Sequence, residues 1–375
     1  MSGNVSIELA AAFSLKRFPE NVVVGKEQHA STMGDKGRRV SIKDVARHSG
    51  VGIGTVSRVI NNSDRISPET RQKVLNSIKE LGYIPNRAAQ SMRSHKTKDI
   101  AFFIDISNLT FSRIATGTYQ YLESQGYTLT LCHIGKNRST TLEKVKSFLN
   151  GRTFDGIILS LPSEENEALN QYLKKVDVPI VTIDRDIPGL VTGVVTDYHG
   201  SLQKAVDYLI SLGHRGIALV NGLPIIRPSK LITRSFREAM ERNGMAVDES
   251  LLFHGEYSRD FGAQTMLNLL PRIRHREVTA IVCMHDEIFH GMLRVMKDYH
   301  LRCPEDVSVI TLEDYELMQL LTPPFTVIRR QLIDMGEKVA QGLINYIQNP
   351  ELYGQLEPYS LPTEFIIRES CAPPA

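Results

Sequence analysis

The chain has no tryptophan and only four cysteines in 375 residues. Cys132, Cys283, Cys303 and Cys371 stand far apart, with no CxxC pair and no histidines at metal-ligand spacing. That scatter excludes a disulfide framework and a structural metal site, and fits reduced thiols in a cytoplasmic protein. No apolar run approaches the ~18 residues of a membrane span, so no membrane partner is expected. The stretch Ile7–Phe13 is short and lacks a preceding basic region, which makes it a poor export signal. Also missing are a Walker phosphate loop, a G-x-S-x-G elbow and an HExxH pair. Gly52–Ser57 is glycine-rich but follows a helical pattern, not a strand, so the dinucleotide-binding context fails. No catalytic residue, cofactor or metal is expected, and the chain does not read as an enzyme.

What is present is an ordinary apolar fraction of 42% and enough length for two or three domains. The net charge of +2 conceals an asymmetry. Residues 35–99 hold fourteen Lys/Arg against six Asp/Glu, a balance of +8, and the remainder holds thirty against thirty-six, a balance of −6. A basic N-terminal part on an acidic body suits phosphate binding by one domain.

Val40–Asn62 predicts two short helices joined by a tight turn. Ser41 precedes the apolar Ile42, Val45 and Ala46, and Asp44 takes the N3 place of a capping box. Gly50 closes the first helix. The second carries Val56, Val59 and Ile60 inward and leaves Ile53, Gly54, Ser57 and Arg58 on its other face. This is the pattern of a helix-turn-helix, whose second helix enters the DNA major groove. Ser67, Pro68 and Glu69 then open a third helix with Val74, Leu75, Ile78 and Leu81 on one stripe, closed by Gly82.

From Val56–Val59 (VSRV) and Leu81–Asn86 (LGYIPN) onward, the chain resembles the LacI/GalR family of bacterial transcriptional regulators. Asp105–Asn108 (DISN), Asp155–Ile158 (DGII), Ile183–Arg185 (IDR), Leu212–Arg215 (LGHR), Cys303–Asp306 (CPED) and Arg368–Ser370 (RES) extend the likeness over residues 40–372. The resemblance implies a helix-turn-helix domain at 40–84, a hinge at 85–98, and a two-lobed effector-binding and dimerisation domain at 99–372. Residues 1–39 show no sustained period and are expected to be a disordered extension or a mis-assigned start, with translation beginning at Met33.

Apolar runs at Ile100–Ile104, Thr128–Leu131, Gly156–Leu159, Ile180–Ile183, Gly216–Val220, Ala280–Cys283 and Val307–Thr311 alternate with helical patterns, among them Phe111–Gln125, Leu142–Asn150, Ser201–Leu212, Phe236–Asn243 and Ile288–Tyr299. The alternation predicts an α/β body of parallel, doubly wound sheets, too long for one core and therefore split around a cleft. The resemblance adds the periplasmic-binding-protein-like arrangement, with several crossings of the chain between lobes.

For DNA, the resemblance places Ile53 and Gly54 early on the recognition helix and Arg58 one turn later. Arginine pairs bidentately with guanine, and an apolar side chain suits a thymine methyl. Thr55, Ser57 and Asn61 are placed for phosphates, with a local side-chain cap the alternative for Ser57 and Asn61. Gly52 stands where the family usually has a Ser cap, and Gly54 costs the helix up to ~1 kcal/mol against Ala. Asn86–Arg93 resembles the family's hinge helix, which implies minor-groove contacts from Asn86 and Ala89 and a wedge from Met92. A homodimer on a pseudopalindromic operator in double-stranded DNA is expected.

For the cleft, the resemblance points to Asn108, Phe111, Asp184, Arg185, Tyr257 and Asp286. The carboxylates suit hydroxyl groups, and the rings suit a sugar or purine face. Asp184 has the alternative of a turn former, and Asp286 that of a helix cap. Ile232 replaces the family's ligand-gripping Arg, Leu109 and Thr110 replace Pro-Phe, and Thr311 replaces a Gly. An acidic ligand met by Arg227, Lys230 or Arg234 is one consequence. The expected function is a repressor controlled by a sugar, sugar acid or related metabolite. A ligand-unresponsive or activating regulator, and a solute-binding protein, are the alternatives.

Overall fold

The computed structural model describes residues 40–60, 65–84, 96–135, 137–162 and 164–375. They fall into two compact units that divide between Asn86 and Arg87. The expectations for residues 1–39, Asn61, Asn86, Ala89 and Met92 lie outside the described residues.

Among the described residues the head has three helices, α1 (Ile42–Ser49), α2 (Ile53–Ile60) and α3 (Pro68–Glu80). Asp44 reaches back to the Ser41 backbone N–H at 2.9 Å, and Gly50 ends α1 in the left-handed region at φ +64°. Glycine carries no Cβ to clash there, which lets the chain turn sharply into α2. Ser67 caps α3 through the Thr70 N–H, with Pro68 at the first helical position. Val45, Ala46, Val56, Val59 and Val74 form the small core. One stripe residue departs from expectation: Leu75 is 44% exposed, and the buried position beside Val74 belongs to Ser77. The Ser77 hydroxyl satisfies itself on the Lys73 carbonyl at 3.0 Å, so a polar residue tolerates the place.

The body opens with β1 (Asp99–Ile104), α4 (Leu109–Ser124), β2 (Thr128–His133), α5 (Thr141–Leu149), β3 (Gly156–Leu159), α6 (Glu167–Leu173), β4 (Ile180–Ile183) and β5 (Val191–Asp197). These make the first lobe, with strands paired in parallel. The second lobe follows: α7 (His199–Ser211), β6 (Ile217–Gly222), α8 (Arg227–Arg242), β7 (Leu252–Gly255), α9 (Arg259–Arg274), β8 (Ala280–Cys283), α10 (Asp286–Asp298), β9 (Ser308–Leu312), α11 (Glu316–Leu320) and β10 (Thr326–Arg329). The chain then returns, because α12 (Leu332–Gln348) packs on α4 and on β3, β4 and β5. β11 (Tyr359–Pro362) joins the first sheet beside β5, and β12 (Glu364–Ile366) pairs antiparallel with β10 in the second.

Among the described residues the strand orders are β11-β5-β4-β3-β1-β2 and β12-β10-β9-β8-β6-β7. The body is therefore the two-lobed α/β arrangement the sequence predicts, with three crossings. β3, β4 and β8 are buried along their whole length, as parallel strands covered on both faces must be. Among the described residues no helix is long and apolar enough to cross a membrane.

Candidate DNA interface and effector cleft

On α2, burial separates the two faces cleanly. Val56 and Val59 point into the core, while Ile53, 41% exposed, Gly54 and Arg58 lie open. Thr55 and Ser57 are half-buried at the edges of that face. A Cβ built on Gly52 or Gly54 meets nothing within 4 Å, so the start of the helix is unobstructed. Helix, spacing and open face are what a groove-reading element needs: an apolar residue one turn before a guanidinium, both free of the core.

In the body, the carboxyl ends of the strands converge on one cavity of about 130 Å³. Crevices at the carboxyl ends of parallel strands are where open α/β sheets bind ligands. Asn108 lines it while capping α4, its side-chain Oδ1 accepting the Thr110 N–H at 2.8 Å. Phe111 follows one turn on. Asp184 and Arg185 come from the end of β4, and Tyr257 from the end of β7. Five of the six residues expected there are therefore brought together.

The sixth, Asp286, is not part of the lining. It is the first residue of α10 and spends its carboxylate on the Glu287 N–H at 2.9 Å and the Tyr315 hydroxyl at 3.4 Å. Its neighbour His285 lines the cavity instead, stacked on the Tyr257 ring at 4.1 Å between centroids and 15° between planes. Gly222 makes room for that pair, since a Cβ there would lie 2.2 Å from the Tyr257 ring.

Asp184 faces the cavity but both its oxygens are engaged. The Thr196 N–H donates at 2.6 Å and the Thr196 hydroxyl at 2.7 Å. Its backbone sits at φ +49°, so the turn-forming alternative describes what the carboxylate does locally. Arg185 is buried, donating to the Leu161 carbonyl at 2.8 Å and the Asp184 carbonyl at 2.9 Å.

Sequence reasoning missed Arg330, which enters the cavity from the crossover between β10 and α12. It pairs with Glu313 at the end of β9 and lies 3.7 Å from Asp184. Burial pushes the Glu313 carboxyl above its usual range, opposed by the adjacent Arg330 charge. The only available signal was the pair Arg329-Arg330 directly after an apolar run. The cations considered in its place do not line the cavity: Lys230 is exposed, Arg234 is bound to Glu238 at 2.8 Å, and Arg227, whose backbone N–H reaches Glu164 at 3.0 Å, keeps Nη1 buried without a partner among the described residues. Ile232 is buried in the cavity wall. Two further contacts tie the lobes, the Thr110–Tyr315 hydroxyl pair at 2.7 Å and the Arg113 guanidinium over the Tyr315 ring. Among the described residues no group of His, Cys, Asp and Glu could hold a metal ion.

Comparison with known proteins finds relatives of both the head and the body. Residues 41–86 match the sequence model of bacterial regulatory proteins of the lacI family, and residues 206–371 that of a periplasmic binding protein-like domain. The HTH-type transcriptional regulator CelR of Thermobifida fusca is 32% identical over 347 residues, covering 90% of this chain and 99% of that one. Catabolite control protein A of Priestia megaterium is 32% identical over 317 residues, covering 83% and 93%. Among solved structures, a CelR–cellobiose complex aligns with 31% identity and a TM-score of 0.64, covering 88% of this chain and 100% of that chain. A lac repressor dimer bound to operator and an anti-inducer aligns at 23% identity and a TM-score of 0.76, covering 89% and 100%, which shows the shared fold.

Proposed function

Because the chain belongs to the LacI family of bacterial regulatory proteins, we propose that it represses transcription by binding a pseudopalindromic operator as a homodimer, under control of a small effector in the cleft. Members of this family are DNA-binding transcriptional regulators, not enzymes. The observation that carries the proposal is the open face of α2, where Ile53 and Arg58 stand clear of a core built by the opposite face.

In this reading Arg58 and Ile53 read bases, and Thr55, Ser57 and Asn61 hold phosphates. Asn86, Ala89 and Met92 occupy the minor groove, and Gly54 lets the backbone approach closely. A single head presents one short reading helix, so two are needed for useful affinity. The effector, a sugar, sugar acid or related metabolite, sits among Asn108, Phe111, Arg185 and Tyr257. It acts by binding one arrangement of the lobes better than another. The protein works in the cytoplasm, where operator DNA is.

Selection of genomic DNA fragments by the purified full chain, with and without metabolite extract, tests the whole reading. Enrichment of one pseudopalindrome, shifted by extract, is the expected result. Uniform, salt-sensitive binding rejects operator reading, and a monomer by light scattering on the selected site rejects the dimer. Enrichment that extract never shifts would favour a ligand-unresponsive regulator, a reading that the ion pair of Arg330 already filling part of the cleft makes concrete.

A further inference from the structure

Within the range of effectors just given, we propose that the cleft takes a small amphipathic carboxylic acid. Such a molecule has a carboxylate and a neighbouring hydroxyl or ammonium donor along one edge, and an apolar body without further hydroxyls. The inference rests on the cleft being the effector site and narrows what that site accepts.

The first-lobe wall supplies the polar edge. Asp105 is 7% exposed and lines the cavity. Its Oδ1 accepts from the Ser107 N–H at 3.1 Å and the Ser107 hydroxyl at 2.7 Å, with His133 Nδ1 at 3.7 Å. Its Oδ2 is buried with no hydrogen-bond partner among the described residues. A buried acceptor left so is costly, and a ligand donor is what relieves it. On the same wall Arg185 is buried and gives two hydrogen bonds to carbonyls, but forms no ion pair with any carboxylate of the described residues. Arg330 is different, because Glu313 and Asp184 already balance its charge. The open seat for an anionic group is therefore Arg185.

The second-lobe wall supplies the apolar face, from Ile226, Pro228, Ile232, Met284 and Leu312. Two of the polar groups on that side are engaged: the Tyr257 hydroxyl with Ser229 at 2.8 Å, and His285 Nδ1 with the Glu287 N–H at 3.2 Å. Glu256 stands exposed at the rim. A polyol pressed on this wall would bury hydroxyls without partners, each at roughly tenfold or more in affinity. The cavity of about 130 Å³ holds about ten water-sized groups at roughly 10–15 Å³ each, the size of an aromatic or branched-chain acid.

The test is calorimetric titration of the full chain with phenyllactate and phenylalanine, 3-phenylpropionate as the acid lacking a donor, and glucose and glucuronate as polyols. Either phenyllactate or phenylalanine is expected to bind, and the comparison between them tells a hydroxyl donor from an ammonium. The donor-free acid should bind at least tenfold more weakly. Asp105→Asn keeps the acceptor for Ser107 but presents an amide N–H in place of Oδ2, and should weaken binding tenfold or more. Met284→Gln, near in volume, should do so about tenfold through the apolar wall. Melting temperatures of the ligand-free variants show whether each is folded. Tighter binding of glucose or glucuronate than of either acid, or full affinity in folded Asp105→Asn, overturns the proposal. No binding by any probe, with operator selection intact, also overturns it and leaves the regulator reading standing. Acid binding without operator selection does the reverse.

Discussion

The Arg330 guanidinium lies 3.7 Å from the Asp184 carboxylate of the first lobe while it is paired with Glu313 of the second. Glu313 is buried and the Arg330 side chain is only 13% exposed, so removing Arg330 strands a buried carboxylate without its partner. Arg330→Met should destabilise the body by about 3–5 kcal/mol, whereas Arg330→Met with Glu313→Leu should lose much less than the sum of the single changes. The pH dependence has a definite sign. Burial raises the Glu313 pKa above its ordinary 4.5, and Arg330 opposes the rise. Without Arg330 the folded-state pKa climbs further. The variant should thus regain stability on acidification toward pH 4.5 and lose it as pH rises through the higher folded value. Urea unfolding of wild type and variants across pH measures this, and parallel pH profiles would reject the account.

Gly117 on α4 and Gly336 on α12 permit a helix contact that no other residue allows. A Cβ at Gly117 would stand 1.9 Å from the Ile333 carbonyl oxygen, and one at Gly336 would stand 2.0 Å from that of Ile114. The obstruction is backbone, which cannot swing aside. Gly117→Ala should cost about 1–3 kcal/mol or more through overpacking. Gly54→Ala is the contrasting case, since its Cβ meets nothing and alanine favours the helix by up to ~1 kcal/mol. Thermal melts should move in opposite directions for the two, and the same sign in both would contradict the packing described.

These positions mark where the sequence was readable. Gly156–Leu159, Ile180–Ile183 and Ala280–Cys283 show as continuous apolar runs because parallel strands buried on both faces have no polar side. The helix read at Phe236–Asn243 begins nine residues earlier, at Arg227, because its first turns are polar and hold a proline that marks a start, not a stop. Asn108, Phe111, Arg185 and Tyr257 follow strand ends, where local order leads to the cleft. Arg330 and Tyr315 could not be placed that way. Their positions depend on α12 returning to the first lobe and on β11 joining β5, pairings between segments more than 150 residues apart.

The thiols offer a check on the packing of both lobes. Burial raises Cys283 to about 12 and Cys132 and Cys371 to about 11, and raises Cys303 as well. The thiolate is the reactive form, so native protein at pH 8 should take up a thiol reagent at far less than the rate of a free cysteine. All four should react on unfolding in guanidinium. A fast-reacting thiol in the native state would show that the segment holding it is open to solvent.

Arg58 and Ile53 carry the sharpest prediction for the head, because base and phosphate contacts leave different signatures. Arg58→Ala should weaken binding to the selected operator by about 1–3 kcal/mol, roughly ten- to a hundredfold, and relax the preference at one base pair in each half-site. Ile53→Ala should relax preference at a neighbouring position, with little change in the salt dependence of affinity, since an apolar contact displaces no counterion. Ser57→Ala, in the phosphate role, should lower affinity evenly across sequences and leave the base preference alone. Affinity measured against single-base operator variants at several salt concentrations separates the three. If Arg58→Ala weakens every sequence equally and flattens the salt slope by about one, Arg58 holds a phosphate and base reading falls to Ile53 and the residues around it.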